Sequence, residues 1–351
     1  ERHVFIRFDG VVSAVQPSSE LTAGSIAWGR ARKLHGCIAD ALNSAAPPPS
    51  LQGRPLLRGL IADVAATCIV YAFSLFADNS SIYDPYWCVL PLWLMASWRH
   101  EASSDSARGL LVMNLIWAWA IRFFVGYPWD GWTTGLTHED WQYADLRIKL
   151  GKCYWPFSLS SLHLTPTLLV FGALAPAGAV VVQENAPPLN YGDLVACATT
   201  VAFLVLEAFS DETLRRHRAR GAKTTCVAGP WAWSRHPNYV GECGFWSGIY
   251  LFAWAAGVRE PLYAVGPVAL WLFFRFASAP LMEARSCARR PDYDAVSPSA
   301  VLVPVPFLSR KASSGSGKKR KKKHDNFGGL NPRKDWNRKQ ILAGVNGPGA
   351  G

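Results

Sequence analysis

The sequence is poor in charge and has no paired cysteines. Only 17% of its 351 residues are charged, whereas half are hydrophobic. A soluble domain ordinarily carries about 25% charged residues. The eight cysteines are scattered, with no CxxC pair and no ligand-like spacing to histidines. This argues against a disulfide framework and against a zinc site. We expect buried free thiols and no bound metal.

The hydrophobic residues are concentrated in blocks that approach the length of a membrane span. A hydrocarbon layer of about 30 Å needs about 20 helical residues. Seven blocks come near that length: 59–77, 85–98, 109–125, 157–182, 191–210, 240–257 and 261–282. The pattern predicts an all-α fold, a polytopic transmembrane helical bundle with about seven spans over residues 59–308. A flexible leader (1–58) precedes it and a disordered basic tail (309–351) follows.

The net charge of +11 comes from the tail. From Arg310 onward there are 12 basic and 2 acidic residues, whereas the rest of the chain has 24 and 23. The run Lys318–Lys323 is too charged to pack. It suits contact with anionic lipid headgroups, with nucleic-acid binding or nuclear import as alternatives.

The basic residues of the loops predict an orientation. Loops 126–156 and 211–239 carry nine Lys and Arg, whereas the alternate loops carry three. Because basic loops are retained in the cytosol, seven spans place the carboxyl terminus there. We expect a multi-pass protein of the endoplasmic reticulum or another endomembrane.

Polar residues cluster where the fifth and sixth predicted spans meet the cytosol. Glu207 and Asp211 stand four residues apart and so share a helix face. Arg215 and Arg218 continue that face and could hold an anion, although a helix-end salt-bridge ladder explains them equally. The stretch GPWAWSRHPNYVGE (229–242) then mixes aromatic rings, an amide and fixed charges. This mixture suits a pocket that stacks a ring and grips phosphates.

Several motifs occur in an order typical of a known family. SDETLRRHR (210–218), SRHPNYVGE (234–242), PLMEAR (280–285), RRPDY (289–293) and LVPVPF (302–307) follow one another, after IYDPYW (82–87) and HEDWQYADLR (138–147). Over about 80–310 the chain resembles the steroid 5-alpha-reductase-like membrane reductases, in particular their DUF1295-type branch.

The resemblance implies a cofactor and a reaction. Family members reduce a carbon–carbon double bond, often conjugated to a carbonyl, in a sterol or other lipid, and bind NADPH in the region that corresponds to 207–307. The residues it would place around NADPH are Asp211, Arg215, Arg235, His236, Asn238, Tyr239, Glu242, Glu283 and Tyr293. The family's Glu and Tyr that hold the steroid ketone have no clear match here, so the resemblance leaves the substrate undefined beyond a lipid-soluble compound.

Such a reduction needs a donor aimed at the carbonyl oxygen and a proton for the α-carbon. The catalytic candidates are Tyr143, Glu139 and Arg122, with His138 as a further donor. Arg122 lies within a predicted span, where an ionisable residue usually serves a site. Snorkelling to the interface is its alternative. For Glu139 and Tyr143 the alternative is an interfacial loop, for Asp84 a helix cap, and for His163 a packing role.

Two other functions fit parts of the sequence. Membrane isoprenylcysteine carboxyl methyltransferases, which use S-adenosylmethionine, carry a similar RHPxY element, although the upstream SDETLRR element and Asn238 match the reductases. A non-enzymatic membrane anchor with a basic tail is the other alternative.

Overall fold

The computed structural model describes residues 52–102, 105–126, 139–221 and 224–303, all within one compact unit, Leu51–Gly351. Most of the predicted leader, His138 and the basic tail with Lys318–Lys323 lie outside the described residues. Every regular element in the described ranges is helical. The α-helices are α1 Pro55–Phe76, α2 Tyr86–Glu101, α3 Ala107–Gly126, α4 Trp141–Leu150, α5 Tyr154–Phe157, α6 Thr165–Val181, α7 Tyr191–Ala219, α8 Pro237–Ala255, α9 Leu262–Phe273, α10 Ala279–Arg289 and α11 Tyr293–Val296.

Short 3-10 and π segments connect several of these helices. The 3-10 segments are Ser80–Tyr83, Gly151–Cys153 and Gly229–Ala232, and the π segments are Ser158–Leu164 and Phe274–Ser278. A continuous helical stretch thus runs from Trp141 to Val181, and another from Leu262 to Arg289.

Four helical stretches are long and apolar enough to cross a membrane: Pro55–Phe76, Trp141–Val181, Tyr191–Ala219 and Leu262–Arg289. The other predicted blocks also form helices, namely α2, α3 and α8. However, α2 has only 16 residues, and α3 and α8 are not among the four candidate spans. The all-helical prediction is confirmed for the described residues, whereas the seven-span count stays a prediction.

Helix α8 lies at the centre of the core and packs most closely on α7. Phe245, Trp246, Ile249 and Phe252 of α8 have no exposed surface. Its glycines Gly241, Gly244 and Gly248 lie directly against Glu207, Phe203 and Thr200 of α7, with no room for a side chain. Such small-residue contacts let two membrane helices approach to backbone distance.

A buried ion pair joins the opposite end of α7 to α3. The Arg108 guanidinium donates to both oxygens of Asp193, at 2.6 and 2.8 Å, and to the carbonyls of Pro187 and Pro188, both at 3.0 Å. The two side chains are 1% and 5% exposed. Asp193 also accepts from the backbone N–H of Asn190, completing a capping box at the start of α7. Because all the strong partners are in place, the pair tolerates its burial.

Helix α4 is held against the turn between α1 and α2 by polar contacts. The Tyr143 hydroxyl donates to Asp84 at 2.6 Å, and the Asp140 N–H donates to the Ser81 hydroxyl at 2.8 Å. Glu139 accepts from the Ser80 N–H at 3.0 Å and pairs with Arg147 at 2.9 Å. Burial raises the pKa of Asp84 to about 7, against the opposing effect of the Tyr143 hydrogen bond.

Removing one partner of the buried pair should be costly. Arg108→Met leaves Asp193 buried without a cation, and we expect a loss of about 3–5 kcal/mol in the free energy of unfolding. Arg99 pairs with Asp105 at 2.7 Å on an exposed surface, so Arg99→Met should change stability little. Unfolding curves in detergent measure both. If both variants lost the same free energy of unfolding, the buried pair would not be the more important of the two for stability, which would contradict its assigned role.

The raised pKa of Asp84 predicts how stability changes with pH. Between about pH 4 and about pH 7 the unfolded carboxyl ionises while the folded one keeps its proton, so this residue lowers stability as pH rises. Between about pH 5 and about pH 8, the melting temperature of Asp84→Asn should therefore fall less than that of the wild type. Asp105→Asn, at an exposed carboxylate, should keep the wild-type decline. An unchanged decline in Asp84→Asn would contradict the assignment.

Candidate functional site at the end of helices α3, α7 and α8

Three carboxyl side chains meet where α7 and α8 touch. Glu207 and Glu242 are buried and Asp211 is partly buried. The contact of Gly241 with Glu207 brings the two glutamates together, and their side chains are within hydrogen-bonding reach of each other. Asn238, one helical turn before Glu242, hydrogen-bonds to Asp211. The predicted residues Asp211, Asn238 and Glu242 thus belong to one cluster.

Helix α3 supplies the cation of this cluster. The guanidinium of Arg122 donates to Asp211 at 2.9 Å and also contacts Glu207. The central carbon of this guanidinium, Cζ, lies 4.1 Å from the centre of the Phe123 ring. Arg122 is therefore paired inside the bundle, and its side chain is only 13% exposed. The cation offsets part of the cost of burying the carboxyls.

Two indoles fix the orientation of Glu242. Trp119 of α3 donates to one carboxyl oxygen at 2.9 Å, and Trp246 of α8 donates to the other at 2.8 Å. Both indoles are fully buried. Because both oxygens of Glu242 accept, its carboxyl is held in one position.

Most of the buried side-chain polar atoms that lack a hydrogen-bond partner, in the part of the chain that the structure describes, lie in this region. Among the described residues, six buried side-chain nitrogen or oxygen atoms have no hydrogen-bond partner. Three of them, Arg122 Nε, Glu207 Oε2 and Asn238 Oδ1, lie in this cluster, and two more, His236 Nε2 and Glu283 Oε1, face each other at 3.5 Å beside it. A folded protein satisfies nearly all such groups, so their concentration marks this end of the bundle as a ligand site.

The segment before α8 forms the second half of the site. The His236 ring stacks on Tyr239 with centroids 5.0 Å apart, and Tyr239 packs on Phe274 at 4.5 Å. The Glu283 carboxylate lies 3.3 Å from Arg235 and 3.5 Å from His236. Helices α8 and α10 therefore share a charged and aromatic wall.

Arg235 also has structural contacts. Its Nε donates to the Pro298 carbonyl at 2.8 Å, and its backbone N–H donates to that of Ala300 at 3.0 Å. The guanidinium carbon lies 5.8 Å from the centre of the buried Tyr293 ring. Burial raises the pKa of Tyr293 above its usual value, and Glu283 adds to the effect, so Tyr293 stays a neutral hydroxyl. Arg235 thus fastens the segment after α11 to the start of α8.

Four other arginines gather beside this wall. Arg218 at the end of α7 lies within electrostatic range of Arg285, Arg289 and Arg290. None of the four forms an ion pair with a carboxylate of the described residues. The Arg285 guanidinium lies over Trp141 of α4, 3.2 Å from the ring centre. Four positive guanidinium groups close to one another repel, which lowers the stability of the fold. Such an arrangement is typical of a site that binds an anion.

The structure does not bring every predicted residue into this site. Arg215 pairs with Glu212 at 2.6 Å, and its side chain is 58% exposed. Tyr143 and Glu139 lie at the interface between α4 and the Ser80–Tyr83 turn. The arginines Arg285, Arg289 and Arg290 were not predicted as ligands, although PLMEAR and RRPDY contain them; the available signal was the clustering of three arginines within two neighbouring motifs.

The sequence analysis missed a further buried acid. Asp63 of α1 is 1% exposed, and its carboxylate accepts a hydrogen bond from the Tyr86 hydroxyl at 3.1 Å. The Thr67 and Thr167 hydroxyls are 2.8 Å apart, and Tyr83 joins them through Thr167 at 2.8 Å. An aspartate in the apolar block 59–77 was the signal, since acids within spans usually serve a site.

A narrow apolar cavity lies beside these groups, on the side that faces the carboxyl cluster. Asp63, Tyr83, Tyr86 and Thr167 line one part of it, and the remaining lining is Trp87, Leu90, Pro91, Leu94, Val170, Phe171 and Leu174. The Trp87 ring packs on Trp119 and on Phe123. Trp119 donates a hydrogen bond to Glu242, and the guanidinium of Arg122 lies over the Phe123 ring. The cavity therefore begins one aromatic layer from the cluster.

Comparison with known proteins agrees with the motifs. Residues 70–298 match the family model DUF1295, a protein family of unknown function. An uncharacterized protein of Schizosaccharomyces pombe is 23% identical over 271 residues, which cover 68% of this chain and 76% of the yeast protein. No solved structure matches the chain significantly. Because the family model covers well over half of its residues, the chain belongs to the DUF1295 family, a branch of the steroid 5-alpha-reductase-like membrane proteins.

Proposed function

We propose that this protein is an NADPH-dependent oxidoreductase that reduces a carbon–carbon double bond, conjugated to a carbonyl, in a lipid-soluble substrate. The observation that carries the proposal is the group of unpartnered buried polar atoms on Arg122, Glu207 and Asn238, next to four arginines that form no ion pair with a carboxylate of the described residues. A dinucleotide phosphate has polar ring substituents at one end and phosphates at the other. The site offers matching partners for both ends.

The residues present fit the cofactor. Arg218, Arg289 and Arg290 would hold its phosphates, because guanidinium groups pair with phosphate oxygens in two-pronged contacts. Asn238 and Glu207 would take the carboxamide, since both have an unpartnered oxygen that can accept from an amide N–H. The stacked pair His236 and Tyr239 offers an aromatic face. When bound, the nicotinamide supplies a hydride.

The cavity beside Trp87 is the candidate substrate site; it has room for about one water molecule in this structure, so a lipid enters it only when the lining side chains move apart. Its lining is mostly apolar. Asp63, which forms part of this lining, is only 1% exposed and so is shielded from bulk water. With a proton on the Asp63 carboxyl, Asp63 would donate to the Tyr86 oxygen, and the Tyr86 hydrogen would then be free to donate to the substrate's carbonyl oxygen as negative charge builds there. Tyr143, hydrogen-bonded to Asp84, is the second candidate donor. Arg122 would position the carboxyls rather than touch the substrate, since it is paired with Glu207 and Asp211.

The location follows from the loops and the tail. With nine basic residues in loops 126–156 and 211–239, the arginine cluster would face the cytosol, where NADPH is available. We place the protein in an endomembrane, with Lys318–Lys323 near anionic headgroups.

The alternatives differ in what the site should bind. A methyltransferase would bind S-adenosylmethionine, which has no phosphate and so gains nothing from four arginines. A non-enzymatic anchor would bind neither compound. Direct binding of NADPH to the purified protein therefore separates the three functions.

The arginine cluster yields the first test of the cofactor. Arg290→Gln and Arg218→Gln should each weaken NADPH binding about 10- to 100-fold, because each removes a charged contact worth about 1.5–3 kcal/mol. Arg215→Gln is the matched control on the same helix, and its affinity should stay close to that of the wild type because Arg215 already pairs with Glu212. Quenching of tryptophan fluorescence measures all three. If only Arg215→Gln lost affinity for NADPH, the phosphates would have to bind at a different place.

The choice of donor is tested with a panel of lipid enones and the oxidation of NADPH. Tyr86→Phe should lower kcat about 100- to 1,000-fold, because it removes the donor from the developing oxyanion. Binding of NADPH should not change. Tyr250→Phe is the control, because the Tyr250 hydroxyl is not part of the cavity lining and accepts a hydrogen bond from Trp254 at 2.6 Å. If Tyr143→Phe loses activity while Tyr86→Phe keeps it, the carbonyl lies at α4 and our assignment of the donor is wrong.

A further inference from the structure

A row of hydrogen-bonding side chains begins at the protein surface next to α4. Asp78 is 76% exposed and pairs with Arg147 at 2.6 Å. Arg147 in turn pairs with Glu139, which is 16% exposed. Glu139 is therefore a carboxylate within reach of solvent but turned toward the bundle.

From Glu139 the row continues inward through hydroxyl groups. The Tyr154 hydroxyl lies 3.4 Å from Glu139, and the Ser80 hydroxyl lies 2.6 Å from that of Tyr154. The Ser158 hydroxyl is 3.0 Å from Ser80 and 3.4 Å from Nδ1 of His163. Tyr154, Ser80, Ser158 and His163 are at most 1% exposed. Each hydroxyl can both donate and accept, which is what proton transfer along a row requires.

His163 can be satisfied with or without an extra proton. Its Nδ1 lies 3.0 Å from the Ser158 carbonyl, and its Nε2 lies 3.2 Å from the Ser74 hydroxyl. In the neutral ring that receives a proton from the row, Nε2–H donates to Ser74, whose own proton goes to the Val70 carbonyl at 3.1 Å, and Nδ1 faces the Ser158 hydroxyl at 3.4 Å. In the protonated ring, the new Nδ1–H donates to the Ser158 carbonyl. The burial and full hydrogen bonding of His163 agree with the packing role expected for it, and the same partners also suit a ring that carries a second proton.

The surroundings of His163 contain no charged side chain in direct contact among the described residues. Tyr71 of α1 and Tyr83 of the 3-10 turn place their rings 5.3 and 5.0 Å away, and Ser74 and Ser158 complete the shell. The nearest acids along the hydrogen-bonded groups are Glu139 outside and Asp63 beyond Tyr83 and Thr167. His163 lies in the π segment Ser158–Leu164, a distortion that is frequent at functional sites.

We propose that Glu139, Tyr154, Ser80, Ser158 and His163 form a proton path from the membrane surface to the wall of the substrate cavity. A proton taken up by Glu139 moves inward as each hydroxyl accepts one proton and releases another, and it ends on the imidazole. No electrons move in this step. Tyr83, against the His163 ring, lines the cavity.

The use of this path rests on the proposed function, because reducing an enone consumes one proton per turnover. The β-carbon receives the hydride of NADPH, the α-carbon receives the proton, and the products are the saturated carbonyl compound and NADP⁺. A reaction site closed off from water needs an internal supply for that proton. His163 and the hydroxyls are positioning and relay residues in this scheme.

The path can be tested without NADPH or a substrate. Full-length protein with isotope-labelled histidine in lipid nanodiscs is stepped from about pH 8 to about pH 5, the range in which histidine titrates, and followed by time-resolved infrared spectroscopy. The chain has eight histidines, so the His163 band is identified as the one lost in His163→Gln. We expect this band to titrate, and its response to slow about 100-fold in Ser158→Ala and in Tyr154→Phe.

Two matched variants keep the test specific. Ser160→Ala changes an exposed serine of the same π segment, and Tyr71→Phe changes a hydroxyl that bonds the Trp155 carbonyl rather than the row. Both should respond at the wild-type rate. A His163 band that does not titrate, or one that responds equally fast in Ser158→Ala and Ser160→Ala, would overturn the path. If the band behaves as expected but the protein neither binds NADPH nor reduces an enone, the path stands and the proposed function fails.

Discussion

The site depends on the close contact between α7 and α8. Gly241, Gly244 and Gly248 place the backbone of α8 directly on α7, at Glu207, Phe203 and Thr200. Without a hydrophobic effect between helices in lipid, close packing of small residues is the main source of helix association. The same contact presses the carboxyl groups of Glu207 and Glu242 together. The packing that stabilises the bundle therefore also creates its charged cluster.

Burying these acids imposes a cost that the rest of the structure offsets. Arg122 supplies one positive charge, and the indoles of Trp119 and Trp246 satisfy Glu242. Even so, Glu207, Asn238 and Arg122 each keep an unpartnered polar atom. At the other end of α7, the buried pair of Arg108 and Asp193 leaves no strong donor or acceptor unpaired. This contrast within one helix separates a pair that serves stability from a cluster suited to a ligand.

Much of this arrangement follows from sequence patterns, and part does not. The four-residue spacing of Glu207 and Asp211 predicts a shared face, and both carboxyls contact Arg122. The same reasoning placed Arg215 on that face, yet Arg215 turns outward to Glu212 because an exposed local pair is within reach. The pairing of Asp63 with Tyr86, and of His163 with Ser74, joins helices distant in sequence. Only the packing of α1 against α2 and against the π segment Ser158–Leu164 brings these groups together, and no local pattern contains that information.

The central claim is that the arginine cluster and the carboxyl cluster hold the two ends of NADPH. Equilibrium binding of labelled NADPH and of labelled S-adenosylmethionine to the purified wild-type protein in detergent tests it most directly. The account predicts saturable binding of NADPH, displaced by NADP⁺ and weaker for NADH, with no saturable binding of S-adenosylmethionine. Saturable binding of S-adenosylmethionine, or of neither compound by a folded protein, would contradict it.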